Sequence, residues 1–426
     1  MTEEIKARIE SIRKGEVPNG YSEGIAGILP NDWTSKPLSE ISEVISEQAG
    51  DDDYETLSIS AGIGFVNQAQ KFGKELSGKQ YEKYTVLRKG DFAYNKGNSK
   101  RYPQGCTCRL KERDEAAVPN VFECFRISEG CPEYYEQLFI NGYMNRQLTR
   151  KINHGVRDDG LLNLTDADFY STVLPVPPLT EQQKIAEILS TCNKVIELKQ
   201  QLLTEKKKQK TWLIHELLIE KKDASESTRY KKVKIGDLAE SLTGFPFDSS
   251  TFCNSGIRLM RCGNIGLGKT SWEPKSTAFF SNYEDKLKSY ALQEGDIVIG
   301  MDGASVGKSC AVISKSDLPC YLVQRVTRLR TKYTTLIFQW LRSTMFVDYV
   351  NRRKTVTAIP HISEQDILNF EILVPQDDKC ILQIEQILNT QDTAICDFEK
   401  EIELWKQKKK ALMQLLLTGT IRVGGQ

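Results

Sequence analysis

The sequence predicts an α+β protein in which two similar α/β globular domains are separated by two long helices that form an antiparallel coiled coil. Three observations predict this internal duplication with pseudo-two-fold symmetry. The stretch 179–222 has heptad spacing and contains neither glycine nor proline. The stretch 377–418 repeats its pattern after a shift of 199 residues, so that ILST at 188–191 recurs as ILNT at 387–390. The segments that precede the two stretches also share short matching motifs.

The first long helix is predicted from its boundary signals and its apolar seam. Prolines stand just before it, Thr180 is expected to be the N-cap, and Gln183 occupies the capping-box position. Steps of four and three residues give the seam Ile185, Leu189, Cys192, Ile196, Lys199, Leu203, Lys206, Lys210, Leu213 and Leu217. Because lysines interrupt this seam, it is a poor surface for pairing with itself and requires a particular partner.

The second long helix is the expected partner. Its seam is Ile384, Leu388, Gln391, Ile395, Phe398, Ile402, Trp405, Lys409, Leu412 and Leu416. Where the first seam has Lys199 and Lys206, the second has Phe398 and Trp405. Two repeats in one chain tend to be related by a two-fold axis, as in a homodimer, which predicts antiparallel helices. A helix of about 40 residues is about 60 Å long.

The globular segments repeat as well. LRKGDFAY at 87–94 corresponds to LQEGDIVI at 292–299, LSEI at 38–41 to IGDL at 235–238, and LTDADFYSTVLPVP at 164–177 to ISEQDILNFEILVP at 362–375. One helix is expected over 132–147. The predicted organisation is an N-terminal arm (1–30), a first domain (31–178), the first long helix (179–222), a linker (223–229), a second domain (230–376), the second long helix (377–418) and a tail (419–426).

Composition excludes several classes of protein. The chain is 39% hydrophobic and 27% charged, with a net charge of +1, which is ordinary for a soluble protein and predicts a cytoplasmic location. No apolar run approaches the length of a membrane span, and the N-terminus lacks a signal-peptide core. The 11 cysteines include no CxxC pair, so we expect neither a zinc site nor a disulfide framework.

No motif predicts catalysis. DGASVGKS at 302–309 approaches the phosphate-binding P-loop, but Asp302 replaces the first glycine, and the surrounding pattern is strand, turn, strand. A hairpin loop that offers Ser305, Lys308 and backbone amides to a phosphate is the preferred interpretation. His154 and His361 occupy similar places in the two repeats. Two alternatives are open for each histidine, namely a contact with a ligand and a structural role. We expect no catalytic residue, no cofactor and no metal in this chain.

Basic residues with interleaved amides and hydroxyls favour DNA as a ligand. Arginine and lysine neutralise phosphates, while arginine, asparagine and glutamine form paired hydrogen bonds with guanine and adenine edges. Ordinary surface charge is the competing interpretation of any single cluster, but the clusters recur at matching places. The candidates are Lys96, Asn98, Lys100, Arg101, Gln104, Arg146, Arg150, Lys151, Asn153, Arg157, Arg258, Arg261, Asn264, Ser305, Lys308, Arg325, Arg328, Arg352, Arg353 and Lys354.

These motifs resemble the specificity subunit of type I restriction–modification systems. The resemblance lies in PPLTEQQKIAEIL at 177–189, in the C-terminal LLLTGTIRV at 415–423, and in the opening VPNGYSEGIAGILPNDW at 17–33. It covers essentially the whole chain, although the first repeat ends in LLIEKKDAS, without the TGxIRV tail.

The resemblance implies two target-recognition domains, each reading one half of a bipartite site in double-stranded DNA. It implies that the helix pair sets the spacer and docks two methyltransferase (modification) subunits, with restriction subunits in the full complex. S-adenosylmethionine, ATP and Mg are then expected in the partner subunits. Two alternatives stay open: a coiled-coil scaffold that binds only proteins, and a nucleotide-binding enzyme that uses DGASVGKS.

Overall fold

The computed structural model describes residues 2–60, 62–73, 78–97, 102–152, 161–219, 230–274, 276–281, 283–355 and 359–423. The chain divides into two compact units. The first unit comprises Met1–Lys199 with Glu401–Gln426, and the second comprises Gln200–Lys400. Among the helices of the described ranges, none is long and apolar enough to cross a membrane.

The first unit is built around a four-stranded antiparallel sheet in the order β4–β11–β8–β9, and β12 pairs with β3 beside it. Its elements are α1 (Glu3–Arg13), β1 (Tyr21–Gly24), β2 (Gly27–Pro30), β3 (Thr34–Pro37), α2 (Leu38–Ile41), β4 (Ser42–Val44), β5 (Leu57–Ser60), β6 (Gly64–Asn67), α3 (Gln68–Phe72), β7 (Thr85–Arg88), β8 (Phe92–Asn95), β9 (Cys106–Arg109), β10 (Glu115–Val118), β11 (Glu123–Ile127), α4 (Pro132–Ile140), α5 (Asn145–Lys151), α6 (Asp166–Tyr170) and β12 (Val173–Val176). The long helix α7 (Leu179–Ile214) follows.

The second unit repeats this arrangement. Its elements are β13 (Tyr230–Lys234), β14 (Glu240–Thr243), β15 (Ile257–Met260), β16 (Phe279–Phe280), β17 (Ile297–Gly300), β18 (Cys310–Val312), β19 (Cys320–Leu322), β20 (Val326–Arg330), α8 (Thr334–Leu341), α9 (Thr344–Arg353), α10 (Glu364–Leu368), β21 (Glu371–Pro375) and α11 (Asp378–Leu416). The sheet order β14–β20–β17–β18 matches that of the first unit strand for strand, and β13 pairs with β21 as β3 pairs with β12. The predicted duplication is therefore confirmed.

The repeated Gly-Asp motif has a structural role in both units. Asp91 and Asp296 each stand directly before the strand that follows the turn, and both are buried. Each accepts the backbone N–H of the residue three positions earlier. Each also pairs with an arginine on the adjacent strand through two hydrogen bonds, with 2.7 Å from Arg126 Nε to Asp91 Oδ1 and 2.7 Å from Arg330 Nε to Asp296 Oδ1. The motif therefore ties the two central strands of each sheet together.

We expect Asp91→Asn to lower the free energy of unfolding of the first unit by about 2 kcal/mol, because the buried side chain loses its charge and one of its acceptor oxygens. Urea unfolding followed by circular dichroism measures this loss. Asp114→Asn is the matched control, since Asp114 is exposed and pairs only loosely with Lys89. Equal unfolding midpoints for the two variants would contradict a structural role for the motif.

The long helices run antiparallel within each unit. In the second unit Lys207 pairs with Glu399 at 2.6 Å, and Lys210 pairs with Asp392. The residue numbers along α11 therefore decrease as those along α7 increase. In the first unit Lys199 pairs with Glu401 at 2.5 Å, whereas Glu181 in the first turn of α7 contacts Arg422, which follows the C-terminal end of α11. Every predicted seam position is buried or half-buried, namely Ile185, Leu189, Cys192, Ile196, Lys199, Leu203, Lys206, Lys210, Leu213 and Leu217 on the first stretch, and Ile384, Leu388, Gln391, Ile395, Phe398, Ile402, Trp405, Lys409, Leu412 and Leu416 on the second.

Some predicted helix boundaries differ from the structure. The helix expected over 132–147 is two helices, α4 and α5, separated by a turn in which Gly142 has a φ of +68°. Helix α7 begins at Leu179, so Thr180 lies inside the helix and is not its N-cap. The α-helical pattern of α7 ends at Ile214 and continues as a π-helical turn, His215–Ile219. Residues 220–229, which include the predicted linker, lie outside the described part of the chain.

The motifs at the two ends of the chain meet in the first unit. Glu181 in the first turn of α7 is buried and accepts hydrogen bonds from Trp33 Nε1 at 3.0 Å and from Arg422 Nε at 2.9 Å. Arg422 also contacts Asp32 through two hydrogen bonds of 2.6 and 2.7 Å. Gly419 adopts a φ of +65° where the chain turns against Trp33. We call Asp32, Trp33, Glu181 and Arg422 the terminal clamp.

Candidate nucleic-acid interface

Three loops and a helix end form one polar surface on the second unit, which we call the loop cluster. It consists of the β17–β18 loop (301–309), the β19–β20 turn (323–326), the segment 359–361 and the C-terminal end of α9. Asp302 connects the first three parts, because it pairs with His361 and its carboxylate lies 2.8 Å from Arg325 Nη1. The backbone N–H of Gly303 also donates to the Pro360 carbonyl at 3.0 Å.

The loop also packs directly against α9. A Cβ added to Gly307, whose φ is +82°, would lie 2.9 Å from Val350 Cγ1. Ser305 and Lys308 on the loop are exposed, as is Arg352 on the last turn of α9. The loop cations and the helix cations therefore occupy neighbouring positions, which is the arrangement that suits contacts with successive phosphates of a nucleic acid.

The neighbouring basic candidates are held by local contacts. The Arg353 guanidinium stacks 3.9 Å from the centroid of the Tyr349 ring and lies 3.9 Å from the Asp366 carboxylate. Lys354 is half-buried at the end of the helix. Arg353 and Lys354 therefore extend the positive surface without standing fully free in solvent.

The P-loop-like sequence forms a hairpin. Strands β17 and β18 pair antiparallel, with Ile297 opposite Val312 and Ile299 opposite Cys310, and residues 301–309 connect them. A nucleotide-binding P-loop joins a strand to the N-terminus of a helix. Residues 302–309 lack that setting, in agreement with the hairpin predicted from the sequence.

Four candidates of the second unit are either buried or held by contacts within the unit. Asn264 is fully buried and donates to the Ser271 carbonyl at 3.2 Å. Arg328 is buried on β20, and burial lowers its pKa. Two more are tied to backbone carbonyls and aromatic rings: Arg258 to Ser316 and Trp272, and Arg261 to Ser276 and Phe252. We therefore do not propose these four as DNA contacts, because each is buried or engaged within the unit, which composition alone does not reveal.

The candidates of the first unit divide in the same way. Lys96 lies 2.7 Å from both Glu123 and Asp166, and Lys151 donates to the Asp168 carbonyl at 3.1 Å. Gln104 donates to Thr149 Oγ1 at 3.1 Å. Arg146 and Arg150 are exposed on α5, without an ion pair among the described residues. The remaining candidates, Asn98, Lys100, Arg101, Asn153 and Arg157, lie outside the described residues.

In both units, matching backbone contacts join the hairpin loop to a second segment. This segment lies between α5 and α6 in the first unit and between α9 and α10 in the second. In the second unit Asp302 forms an isolated antiparallel bridge with His361, and Ile362 N donates to the Met301 carbonyl at 3.0 Å. In the first unit Gly97 forms the same bridge with Leu161, and Leu162 N donates to the Lys96 carbonyl at 2.9 Å. One scaffold therefore presents two loop sets that differ in sequence.

The sequence does not indicate that Asp302 belongs to this surface, and it leaves His361 with two alternatives, a ligand contact or a structural role. The pairing of Asp302 with Arg325 joins residues from separate loops, which no local pattern indicates. Within the described ranges, no group of three or more His, Cys, Asp or Glu side chains is placed to hold a metal ion.

The chain is similar to known specificity proteins. The sequence profile of the "Type I restriction modification DNA specificity domain" matches residues 30–207 and 228–412. The MjaVIII type I restriction enzyme specificity subunit of Methanocaldococcus jannaschii is 29% identical over 62% of this chain and 65% of its own length. The EcoAI specificity subunit of Escherichia coli is 29% identical over 50% of this chain and 37% of its own. The matches thus span less than two thirds of these relatives.

Solved structures share the fold. The type I restriction–modification S subunit from M. genitalium superposes with a TM-score of 0.59 at 13% identity, covering 94% of this chain and 97% of that one. A chain from a study of assembly and conformational transition of the type I restriction–modification system gives a TM-score of 0.53 at 16% identity, covering 92% of this chain and 99% of that one. Because the domain profile matches both repeats, the chain belongs to the family of type I restriction–modification DNA specificity domains.

Proposed function

We propose that this chain is the non-catalytic, sequence-specific DNA-binding subunit of a type I restriction–modification complex, in which each unit reads one half of a bipartite site. The observation that carries the proposal is the repetition of one scaffold with two different loop sets. Both units have the same strand order in the central sheet. In both, a backbone bridge joins the hairpin loop to the segment before the last short helix, while the residues of the loops differ. A shared frame with variable loops suits a protein that binds two different sequences in the same manner.

The long helices are proposed to set the spacer between the half-sites and to dock two methyltransferase subunits. Helices α7 and α11 contain 36 and 39 residues, which is long for a globular protein. Their outward faces carry exposed apolar side chains, including Leu198, Leu202 and Leu404. S-adenosylmethionine would then be supplied by the methyltransferase subunits, and ATP with Mg by the restriction subunits.

The deciding experiment combines this chain with its methyltransferase subunits and maps methylated adenines in randomised duplex DNA. The proposal expects two short specified elements separated by a spacer of fixed length and unspecified sequence. Methylation without a bipartite preference, or binding of the methyltransferase subunits with no selection among duplexes, would instead support a protein-binding scaffold.

The salt dependence of binding tests the loop cluster. We expect Lys308→Ala and Arg352→Ala each to weaken binding of all duplexes by a similar factor. Each should also reduce the slope of log affinity against log salt by about 1, because one fewer phosphate is neutralised. Fluorescence anisotropy at several salt concentrations provides the slope. Lys286→Ala is the control, since Lys286 is exposed outside the loop cluster and pairs with Glu284. An equal slope for all three variants would contradict phosphate contacts by the cluster.

A further inference from the structure

The β19–β20 turn holds an arginine in an unfavourable backbone conformation. Arg325 has a φ of +68°, and among the described residues it is the one non-glycine residue with positive φ. The turn closes with a 3.2 Å hydrogen bond from Val326 N to the Val323 carbonyl, so Arg325 occupies the third position, where glycine or asparagine is favoured. Strain of this kind is concentrated at functional sites.

Surrounding contacts keep the turn in this conformation. The Arg325 carbonyl accepts a hydrogen bond from Met301 N at 2.9 Å and another from Cys262 Sγ at 3.0 Å. The backbone N–H of the preceding residue, Gln324, donates to the Phe245 carbonyl at 2.9 Å. The backbone is therefore anchored on both sides of the arginine.

The side chain of Arg325 is oriented but remains accessible. Its Nη1 lies 2.8 Å from Asp302 Oδ2, and 64% of the side chain is exposed, against 13% for Asp302. Asp302 is itself held by its pairing with His361. Its contact with the Asp302 carboxylate is made through Nη1, at one end of the guanidinium. The Asp302 carboxylate thus holds the guanidinium at Nη1, while most of the Arg325 side chain stays accessible to a ligand.

We propose that Arg325 is a specificity-determining residue that reads a guanine in the half-site of the second unit. The inference rests on the proposed function and assigns a role to one residue. Two parallel N–H donors match the O6 and N7 acceptors that guanine presents in the major groove. Asp302 acts as a positioning residue that fixes the guanidinium plane before DNA binds, which reduces the entropy lost on contact.

The equivalent turn of the first unit supports a role in selectivity. Phe122 N donates to the Pro119 carbonyl at 3.0 Å, which closes a four-residue turn at the matching place before β11, although Val121 does not share the positive φ of Arg325. The position of Arg325 is occupied there by Val121, which is 45% exposed. A valine cannot donate to guanine, although it can contact a thymine methyl group. The matching positions of the two units therefore carry side chains of different chemistry.

The test uses the full chain assembled with its methyltransferase subunits and measures binding to a library in which every half-site position is varied. We expect Arg325→Gly to reduce discrimination at one guanine of one half-site by about tenfold to a hundredfold, leaving the other positions unchanged. Because glycine tolerates positive φ, the unfolding temperature should stay the same or rise. Arg325→Lys keeps the charge but replaces the rigid planar pair of donors by a single ammonium group, so it should lose part of the guanine discrimination while retaining the salt slope.

Matched variants separate the outcomes. Val121→Ala should leave the guanine preference of the second half-site intact, and Asp302→Asn should weaken it only in part. A uniform loss of affinity for all sequences in Arg325→Gly would identify a phosphate contact and overturn the inference. An unchanged preference would overturn it as well. If the wild-type complex itself selects no sequence, the proposed function fails, and that result is distinct from a failure confined to Arg325.

Discussion

Arg422→Ala is expected to lower the free energy of unfolding of the first unit by about 3 kcal/mol, since removing one partner of a buried ion pair leaves an uncompensated charge. The charge in question is the Glu181 carboxylate, which is only 1% exposed. After the substitution it would keep hydrogen bonds from Trp33 Nε1 and from Val423 N, but no cation. Urea unfolding followed by tryptophan fluorescence measures the loss.

Asp32→Asn is the matched control, because it removes the other carboxylate that contacts Arg422. The Asp32 side chain is 56% exposed, and exposed ion pairs contribute at most about 1 kcal/mol. We therefore expect a much smaller effect from Asp32→Asn than from Arg422→Ala. Comparable losses for the two variants would mean that the terminal clamp is not organised around buried Glu181.

The clamp also predicts a pH dependence. Burial raises the pKa of Glu181, but hydrogen bonds from Arg422 and Trp33 outweigh it, and its net pKa is lowered. Hydrogen bonding to Arg422 lowers the pKa of Asp32. A carboxylate whose pKa is lower in the folded state than in the unfolded chain stabilises the fold. This contribution is complete at pH values above the unfolded-state pKa, about 4, and it is lost as the pH falls through the folded-state pKa. The difference between wild type and Arg422→Ala should therefore shrink in acid.

The architecture was predictable because its signals are repeated in the sequence. A seam position such as Leu189 and its counterpart Leu388 are both fully buried, and the heptad spacing identified both. The Gly-Asp motif was recognised only as a repeat, since its arginine partner lies more than 30 residues away. The break between α4 and α5 was missed, because a single glycine at 142 interrupts an otherwise continuous helical pattern.

The candidate interface was less predictable, as three arginines close together on one turn and strand illustrate. Arg325 is exposed on the turn, Arg328 is buried in the sheet, and Arg330 is paired with Asp296. Composition treats these residues alike. Their different roles depend on which carboxylate or core surface the fold brings to each, and that is determined by tertiary contacts between distant segments.

The second large expected change in stability concerns Lys210, one of the lysines in the seam of α7. Lys210 is 8% exposed and pairs with Asp392, whose other oxygen accepts a 3.1 Å hydrogen bond from Gln339 on α8. We expect Asp392→Ala to lower the free energy of unfolding of the second unit by about 3 kcal/mol, because the ammonium group would be buried without a partner. The double variant Lys210→Met with Asp392→Leu should recover most of the loss, since similar apolar side chains replace the pair.

The internal duplication supplies a reciprocal test in the first unit. A shift of 199 residues relates Lys210 to Lys409 and Asp392 to Asn193, so the repeat keeps the lysine but has an amide in place of the carboxylate. Burial lowers the pKa of Lys409. Asn193→Asp should therefore raise that pKa and increase the free energy of unfolding of the first unit at neutral pH, opposite in sign to Asp392→Ala in the second. NMR titration of the Lys409 side chain and urea unfolding measure the two effects. If Asn193→Asp destabilised the first unit, Lys409 and Lys210 would not have equivalent surroundings. The ion pair between Lys210 and Asp392 would then be a feature of the second unit alone.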